Sequence, residues 1–394
     1  MKTLITNGKI VGRKILANNI LIENDKIADI DYKGEITEDV DVYDANGAYV
    51  MPGFIDVHVH GGGKSDFMDA TKEDFETVVK THLKYGTTLL TPTAMTATEE
   101  NLKNFILAYK DFKENSSFSN FTAGIHLEGP YFSGANSKSK GAQSGDLLRK
   151  IDIEEMQRLW NLYPNAIVRW DAAPELENYD KFAEFCQMYN IIPSVAHTAA
   201  TTEETLRAFE KGFSHITHFY NATTTYHKEG QKVLDGVVEA TYLTDDVTVE
   251  LICDGKHIPK GVLQLALKLK GVEKTLAITD GTALSGTDLL KGKLGGRKNG
   301  TDIIVDDGVA KLIDLSSYAG SICTMQKALK VLVQQYDIPL TEASIMLSLA
   351  PAKLLKIDKM YGSIEIGKKA DLVVVDTLLN INCVMKDGKF IGDI

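Results

Sequence analysis

Apolar residues along the chain come in short runs bounded by turn residues, and the rhythm of those runs changes twice. Up to about residue 50 it is strand and turn. Asn7-Gly8 is a hairpin signal, because both residue types accept left-handed backbone. Leu21 to Ile27 reads as strand, turn, strand, and Asp44-Ala45-Asn46-Gly47 as another turn. Met51-Pro52-Gly53 ends this regime. The next rhythm is strand, loop, helix. Apolar runs at 53–60, 87–91, 123–129, 166–171, 193–197, 215–218, 248–254 and 276–280 predict eight buried strands. Between them lie helical stretches. One opens with a Thr71-Lys72-Glu73-Asp74 capping box and closes at Gly86, one starts near Thr98, and others span 203–211 and 260–269. A Gly- and charge-rich segment follows to about Gly320, with a hairpin at 305–309. Helices are then expected at 323–335 and 341–355. The tail returns to strands at 362–367, 370–376 and 384–390.

Eight strands alternating with helices predict an α/β fold, a (β/α)8 TIM-like barrel. Both ends of the chain are β-rich, so residues 1–51 and 356–394 are expected to form one small β-sandwich domain, with the barrel of residues 52–355 inserted between them.

Composition narrows the function. The chain has 394 residues, 44% of them hydrophobic, enough for a large core. A net charge of −11 argues against nucleic acid or an anionic membrane as partner, so an anionic ligand needs a local basic spot. Cys186, Cys253, Cys323 and Cys383 are scattered and read as reduced thiols of a cytoplasmic protein. No signal peptide or membrane-length apolar run is evident.

The candidate chemistry sits at the C-terminal ends of the predicted strands, where barrel enzymes place their sites. Side chains alternate along a strand, so His58 and His60 share a face with Asp56. Glu128, His197, His218, Asp254 and Asp280 end other strands. His215 and His218 point oppositely, and His218, nearer the strand end, is taken as the inward one. His215 is expected against a helix or exposed. His82 is expected to be structural, and His126 to stand behind the ligands. Each residue alone has an ordinary explanation, such as a hydrogen-bonded core histidine or a helix cap. The convergence of four His, one Glu and one Asp at one rim points instead to one or two divalent ions, Zn²⁺, Fe²⁺, Mn²⁺ or Co²⁺. Such an ion activates water, and a neighbouring aspartate can move its proton, which is the apparatus for amide or ester hydrolysis.

Gly53 to His60, His126-Leu127-Glu128-Gly129-Pro130, Ala196-His197-Thr198, Thr217-His218-Phe219-Tyr220-Asn221-Ala222, Asp254-Gly255-Lys256-His257 and Ile278-Thr279-Asp280-Gly281 occur in this order. Together they resemble the N-acetylglucosamine-6-phosphate deacetylase branch of the amidohydrolase superfamily, along essentially the whole chain. The resemblance implies hydrolysis of the acetamide to acetate and glucosamine 6-phosphate, in amino-sugar catabolism or cell-wall recycling, by a homodimer. It implies that Glu128, His197 and His218 hold the principal metal. His58 and His60, with Glu128 bridging, would hold a second, although some members lack this pair and use one ion. Asp280 would be general base and acid, and His257 would polarise the carbonyl. Ala142, Gln143, Asn221, Ala222, His257, Tyr318, Ala319 and Gly320 would contact the sugar phosphate.

The chain departs from that pattern around the phosphate. His227-Lys228-Glu229-Gly230 stands where the branch often has His-Arg-Glu-Pro-Gly. The arginine that resembles a phosphate ligand across the dimer interface is therefore replaced by Lys228 or lost. Ala196-His197-Thr198 replaces Gly-His-Ser, and Ser316-Ser317-Tyr318 replaces a Gly-Thr-Leu type loop. N-acetylgalactosamine 6-phosphate or an N-acyl amino acid therefore stands as an alternative substrate. A non-catalytic scaffold is the other class of reading, and the complete ligand set speaks against it.

Overall fold

The computed structural model describes residues 2–392. Eight parallel strands form the barrel: β1 (Phe54–Val59), β2 (Thr87–Ala94), β3 (Ile125–Tyr131), β4 (Ile167–Ala172), β5 (Ile192–Val195), β6 (His215–Ile216), β7 (Thr248–Ile252) and β8 (Thr275–Ile278). They pair in chain order. The circle closes through side chains and the rim rather than a full ladder. Buried Asp56 accepts the Thr279 hydroxyl at 2.6 Å, the Asp280 N–H donates to the His58 carbonyl, and the His60 N–H to that of Gly281.

Helices cover the outside. Lys72–Leu83 shows why: Phe75, Val78, Val79 and Leu83 recur at helical spacing and are buried. Thr71 caps it by accepting the Asp74 N–H at 3.2 Å. The expected capping box is only half formed. The Asp74 carboxylate turns to Ser65, to the Thr71 hydroxyl and to Arg297, whose cation competes for it.

Three strands stop two residues short of where their ligand-type residue stands. His197, His218 and Asp280 have φ of 44°, 31° and 49°. Left-handed backbone is costly for a residue with a Cβ and ends the ladder, turning each side chain inward at the rim.

The chain ends form one eight-stranded sheet. Lys2–Val11 lies between Ile15–Glu23 and Tyr49–Pro52, with Val40–Asp44 also beside it, and Tyr49–Pro52 pairs antiparallel with Leu372–Val375. Ile5, Ile22, Ile27, Val50, Leu372 and Met385 share one apolar cluster, so strands from both ends of the sheet enclose a common core. Two expectations change here. Asn7-Gly8 makes no hairpin; it is a bulge inside Lys2–Val11, with Asn7 at φ 54°. A Cβ on Gly8 would lie 2.7 Å from Val50 Cγ2, so glycine permits this close approach. Residues 362–367 form turns rather than a strand, with Gly367 at φ 91° and Ile364 inserted into the terminal cluster.

The 281–320 segment contains the expected hairpin, Thr301–Asp306 with Val309–Leu312, extended by Lys291–Leu294 into a three-stranded sheet. Its apolar side packs on Met95 and Leu284, which carries Tyr318 to Gly320 to the barrel mouth. No helix among the described residues is long and apolar enough to cross a membrane.

Candidate metal centre and pocket

The carboxylate of Glu128, midway along β3, is the point on which the other side chains converge. Its Oε1 lies 3.1 Å from His197 Nε2 and 3.0 Å from His218 Nε2. His60 Nε2 lies 3.5 Å from Oε2, and His58 Nε2 3.8 Å from Oε1. Asp280 Oδ1 is 3.1 Å from His60 Nε2. Two groups of three donors result, His58/His60/Glu128 and Glu128/His197/His218, all buried and each able to hold an ion.

The tautomers fit that role. A carbonyl or carboxylate only accepts, so an imidazole nitrogen facing one carries the proton. His197 Nδ1 faces the carbonyls of Ser139 and Lys140, His218 Nδ1 that of Asn221, and His58 Nδ1 the Glu250 carboxylate. Their Nε2 lone pairs therefore face the centre. There His58 and His60 Nε2 stand 3.2 Å apart, and His197 and His218 Nε2 3.1 Å apart. Two bare lone pairs at these distances are favourable only around a cation, a metal ion or a proton.

The local field says the same. Burial opposes charge on Glu128, yet its bonds to His197 and His218 hold it well below the usual carboxylate range. Burial also opposes protonation of His60 and His218, yet Asp280 and Glu128 carry His60, and Glu128 carries His218, up to about 9. Asp280 is likewise lowered, against burial, by His58 and His60. The site favours positive charge where the four Nε2 atoms meet.

The cavity above this centre is lined by His60, Glu128, His197, His218, Asp280 and His257, by Ala142, Gln143, Asn221 and Ala222, and by Tyr318 and Gly320. Buried Asn221 Nδ2 has no hydrogen-bond partner among the described residues, leaving a free donor at the cavity. Gln143 Nε2 donates to Glu128 Oε2 at 2.9 Å, so it also orients the carboxylate. Asp254 Oδ2 fixes His257 through Nδ1 at 2.8 Å. Ala319 is fully buried behind the wall, its N–H donating to the Ala310 carbonyl. Lys228 does not line this cavity; it stands on the exposed hairpin His227–Glu229/Lys232–Leu234. Lys138, on the short helix Ser137–Lys140 after β3, does line it, and is the only lysine or arginine among the described residues to do so.

Under the centre lies a second polar layer that sequence reasoning largely missed. Arg169 reaches Glu250 with both terminal nitrogens, at 2.6 and 3.2 Å. His126 Nε2 is 2.8 Å from Asp171 Oδ2. His215 is neither exposed nor packed against a helix: it is fully buried, 3.3 Å from Arg169 and 3.4 Å from Glu250. Both are interior, charged groups that pull its ring inward. The available signal was charge inside an apolar strand, Glu250 in Thr248–Ile252 and Arg169 with Asp171 in Ile167–Ala172. His82 is structural, its Nε2 2.9 Å from the Gly61 carbonyl.

A model of the amidohydrolase family matches residues 49–391. An N-acetylglucosamine-6-phosphate deacetylase from Lysinibacillus sphaericus is 31% identical over 353 residues, 89% of this chain and 87% of the relative. The solved N-acetylglucosamine-6-phosphate deacetylase from Pasteurella multocida superposes with a TM-score of 0.91 at 29% identity, covering 100% of both chains. A point mutant of N-acetyl-D-glucosamine-6-phosphate deacetylase from Mycobacterium smegmatis, solved in complex with N-acetyl-D-glucosamine-6-phosphate, superposes at 0.88 with 27% identity and 99% coverage of both.

Proposed function

The chain belongs to the amidohydrolase family, and from that premise we propose that it hydrolyses the acetamide of N-acetyl-D-glucosamine 6-phosphate to acetate and D-glucosamine 6-phosphate. The observation that carries the reading is the pair of three-donor clusters sharing Glu128, with Asp280 3.1 Å from His60 and a cavity opening above them. The 31% identity to a deacetylase along 89% of the chain supports the substrate class.

In this reading Glu128, His197 and His218 hold the principal divalent ion, and His58, His60 and Glu128 a second. A divalent ion there supplies Lewis acidity for activating water and polarising the acetamide carbonyl. Asp280 takes the proton as water adds to the carbonyl carbon. His257, fixed at Nδ1 by Asp254, turns Nε2 toward the oxygen that gains negative charge and would polarise the carbonyl. The C–N bond then breaks as Asp280 returns the proton to nitrogen, releasing the amine and acetate.

Asn221 Nδ2 offers a donor to the sugar phosphate, and Ala142, Gln143, Ala222, Tyr318, Ala319 and Gly320 shape its seat. Lys138 supplies the local positive charge that a phosphate needs on a chain of net charge −11. Lys228, exposed on its hairpin, would reach the cavity of a second copy in a homodimer. The reaction belongs to cytoplasmic amino-sugar catabolism.

The test is acetate release from N-acetylglucosamine 6-phosphate beside N-acetylglucosamine and N-acetylgalactosamine 6-phosphate, with and without chelator. Chelator-sensitive preference for the first is expected. Preference for another substrate overturns the sugar assignment, and no activity in metal-replete protein overturns the reaction.

A further inference from the structure

Four histidines converge on Glu128, but they are held from behind in different ways. His197 and His218 rest on main-chain carbonyls, at 3.0 to 3.1 Å. Buried His60 Nδ1 has no hydrogen-bond partner among the described residues. Only His58 is held by an ionised side chain: Glu250 Oε1 lies 2.7 Å from its Nδ1. Because a carboxylate only accepts, this contact places the proton on Nδ1 and turns the Nε2 lone pair toward His60 and Glu128. Arg169 NH2, 3.3 Å from the same Nδ1, is then a neighbour and not a donor to it.

Glu250 does more than orient one ring. It is fully buried in β7, on the far side of the barrel from β3. The same Oε1 accepts the main-chain N–H of His218 at 3.1 Å, where the backbone turns left-handed. Oε2 accepts Arg169 NH1 at 2.6 Å. Arg169 thus neutralises a carboxylate that would otherwise be buried alone.

We propose that Glu250, held by Arg169, is the positioning residue that makes the His58/His60/Glu128 position bind a metal ion, so that occupancy of this second position depends on Glu250 while the Glu128/His197/His218 position retains its ion without it. The inference rests on the reading above that these two clusters hold ions. Its asymmetry comes from the supports of the rings: when Glu250 changes, His218 loses the acceptor of its main-chain N–H, but the His197 and His218 rings keep their main-chain acceptors, whereas the His58 ring loses the carboxylate that holds it.

The test is metal stoichiometry and affinity in chelated, refilled full-length protein, titrated with Co²⁺ and followed by its visible absorption and by elemental analysis. Two variants are compared with wild type. Arg169→Met with Glu250→Leu removes both charges of the pair and leaves buried Asp171 to His126 and Thr217. Glu250→Asp keeps the charge and the pairing with Arg169 but withdraws the carboxylate from His58. Wild type is expected to take two ions. Both variants are expected to keep one at wild-type affinity and to bind the second 10- to 100-fold more weakly, the usual effect of losing a group that orients a metal ligand. Two ions at wild-type affinity in Glu250→Asp overturn the proposal, and so does equal weakening of both ions. A wild-type chain that saturates with one ion overturns the two-ion reading itself, which sets that failure apart.

Discussion

Asp280 lies 3.1 Å from His60 Nε2 and 3.5 Å from His58 Nε2, yet it belongs to neither three-donor cluster. That separates proton transfer from ion holding. Asp280→Asn keeps the shape and removes the base, so kcat is expected to fall about 10²- to 10⁴-fold while elemental analysis still finds the ions. Loss of metal alongside activity would instead make Asp280 a ligand. Lys138 gives a sharper test of specificity. A hydrogen bond to a charged group contributes about 1.5–3 kcal/mol. Lys138→Ala should therefore lower kcat/KM for the 6-phosphate roughly 10- to 100-fold and leave the slow hydrolysis of unphosphorylated N-acetylglucosamine unchanged. Equal loss on both substrates would exclude a phosphate contact. The two residues also show what a sequence reveals at this scale. Asp280, like Glu128, is a charge that follows an apolar run in the sequence, and that position alone marks it. Lys138 is one lysine in a polar turn, Asn136 to Lys140, and nothing local separates it from a solvated one. Only the path of the chain after β3 brings it to the cavity.

At the scale of elements, strand existence and order were legible because eight apolar runs alternate with helical patterns. Their ends were not, because His197, His218 and Asp280 leave the ladder in left-handed backbone that β-type residues around them do not announce. The layer of Arg169, Glu250 and His215 stayed hidden for a related reason: periodicity says which residues face inward, but not which inward residues meet across a closed barrel. The junction between the terminal sheet and β1 depends on a comparable pair. Lys386 donates to Asp371 Oδ2 at 2.6 Å, with both side chains almost fully buried. The Asp371 carbonyl accepts the N–H of Gly53, the residue that leads into β1. Asp371→Ala leaves Lys386 charged and unpaired and is expected to cost about 3–5 kcal/mol in denaturant unfolding. Adding Lys386→Met should recover much of that loss. If the single variant is as stable as wild type, the pair does not secure the junction.

For the whole molecule, the proposed ions should be structural as well as chemical. Their donors come from β1, β3 and the turns after β5 and β6, elements spread around the barrel that β1 and β8 close with few main-chain bonds. An ion shared by these elements links them across the barrel mouth, where the circle is least completely laddered. Without it, Nε2 atoms that stand 3.1 and 3.2 Å apart can coexist only by taking up protons. Folding is then coupled to metal by mass action: each ion present at about 100 times its Kd adds roughly 2.7 kcal/mol. Dialysis against chelator should lower the unfolding midpoint by several degrees, and restoring Zn²⁺ or Co²⁺ should recover it. The gain should shrink as the pH falls below about 9, because protons compete for the same nitrogens and His60 and His218 are raised to about 9 without the ion. In Glu250→Asp, at the same metal concentration, the metal-dependent gain should fall to roughly three-fifths to three-quarters of the wild-type value, since a second ion bound 10- to 100-fold more weakly contributes about 0.4–1.4 kcal/mol instead of roughly 2.7. A midpoint indifferent to metal would mean that the barrel holds the rim without an ion, and that the four histidines are arranged for catalysis alone.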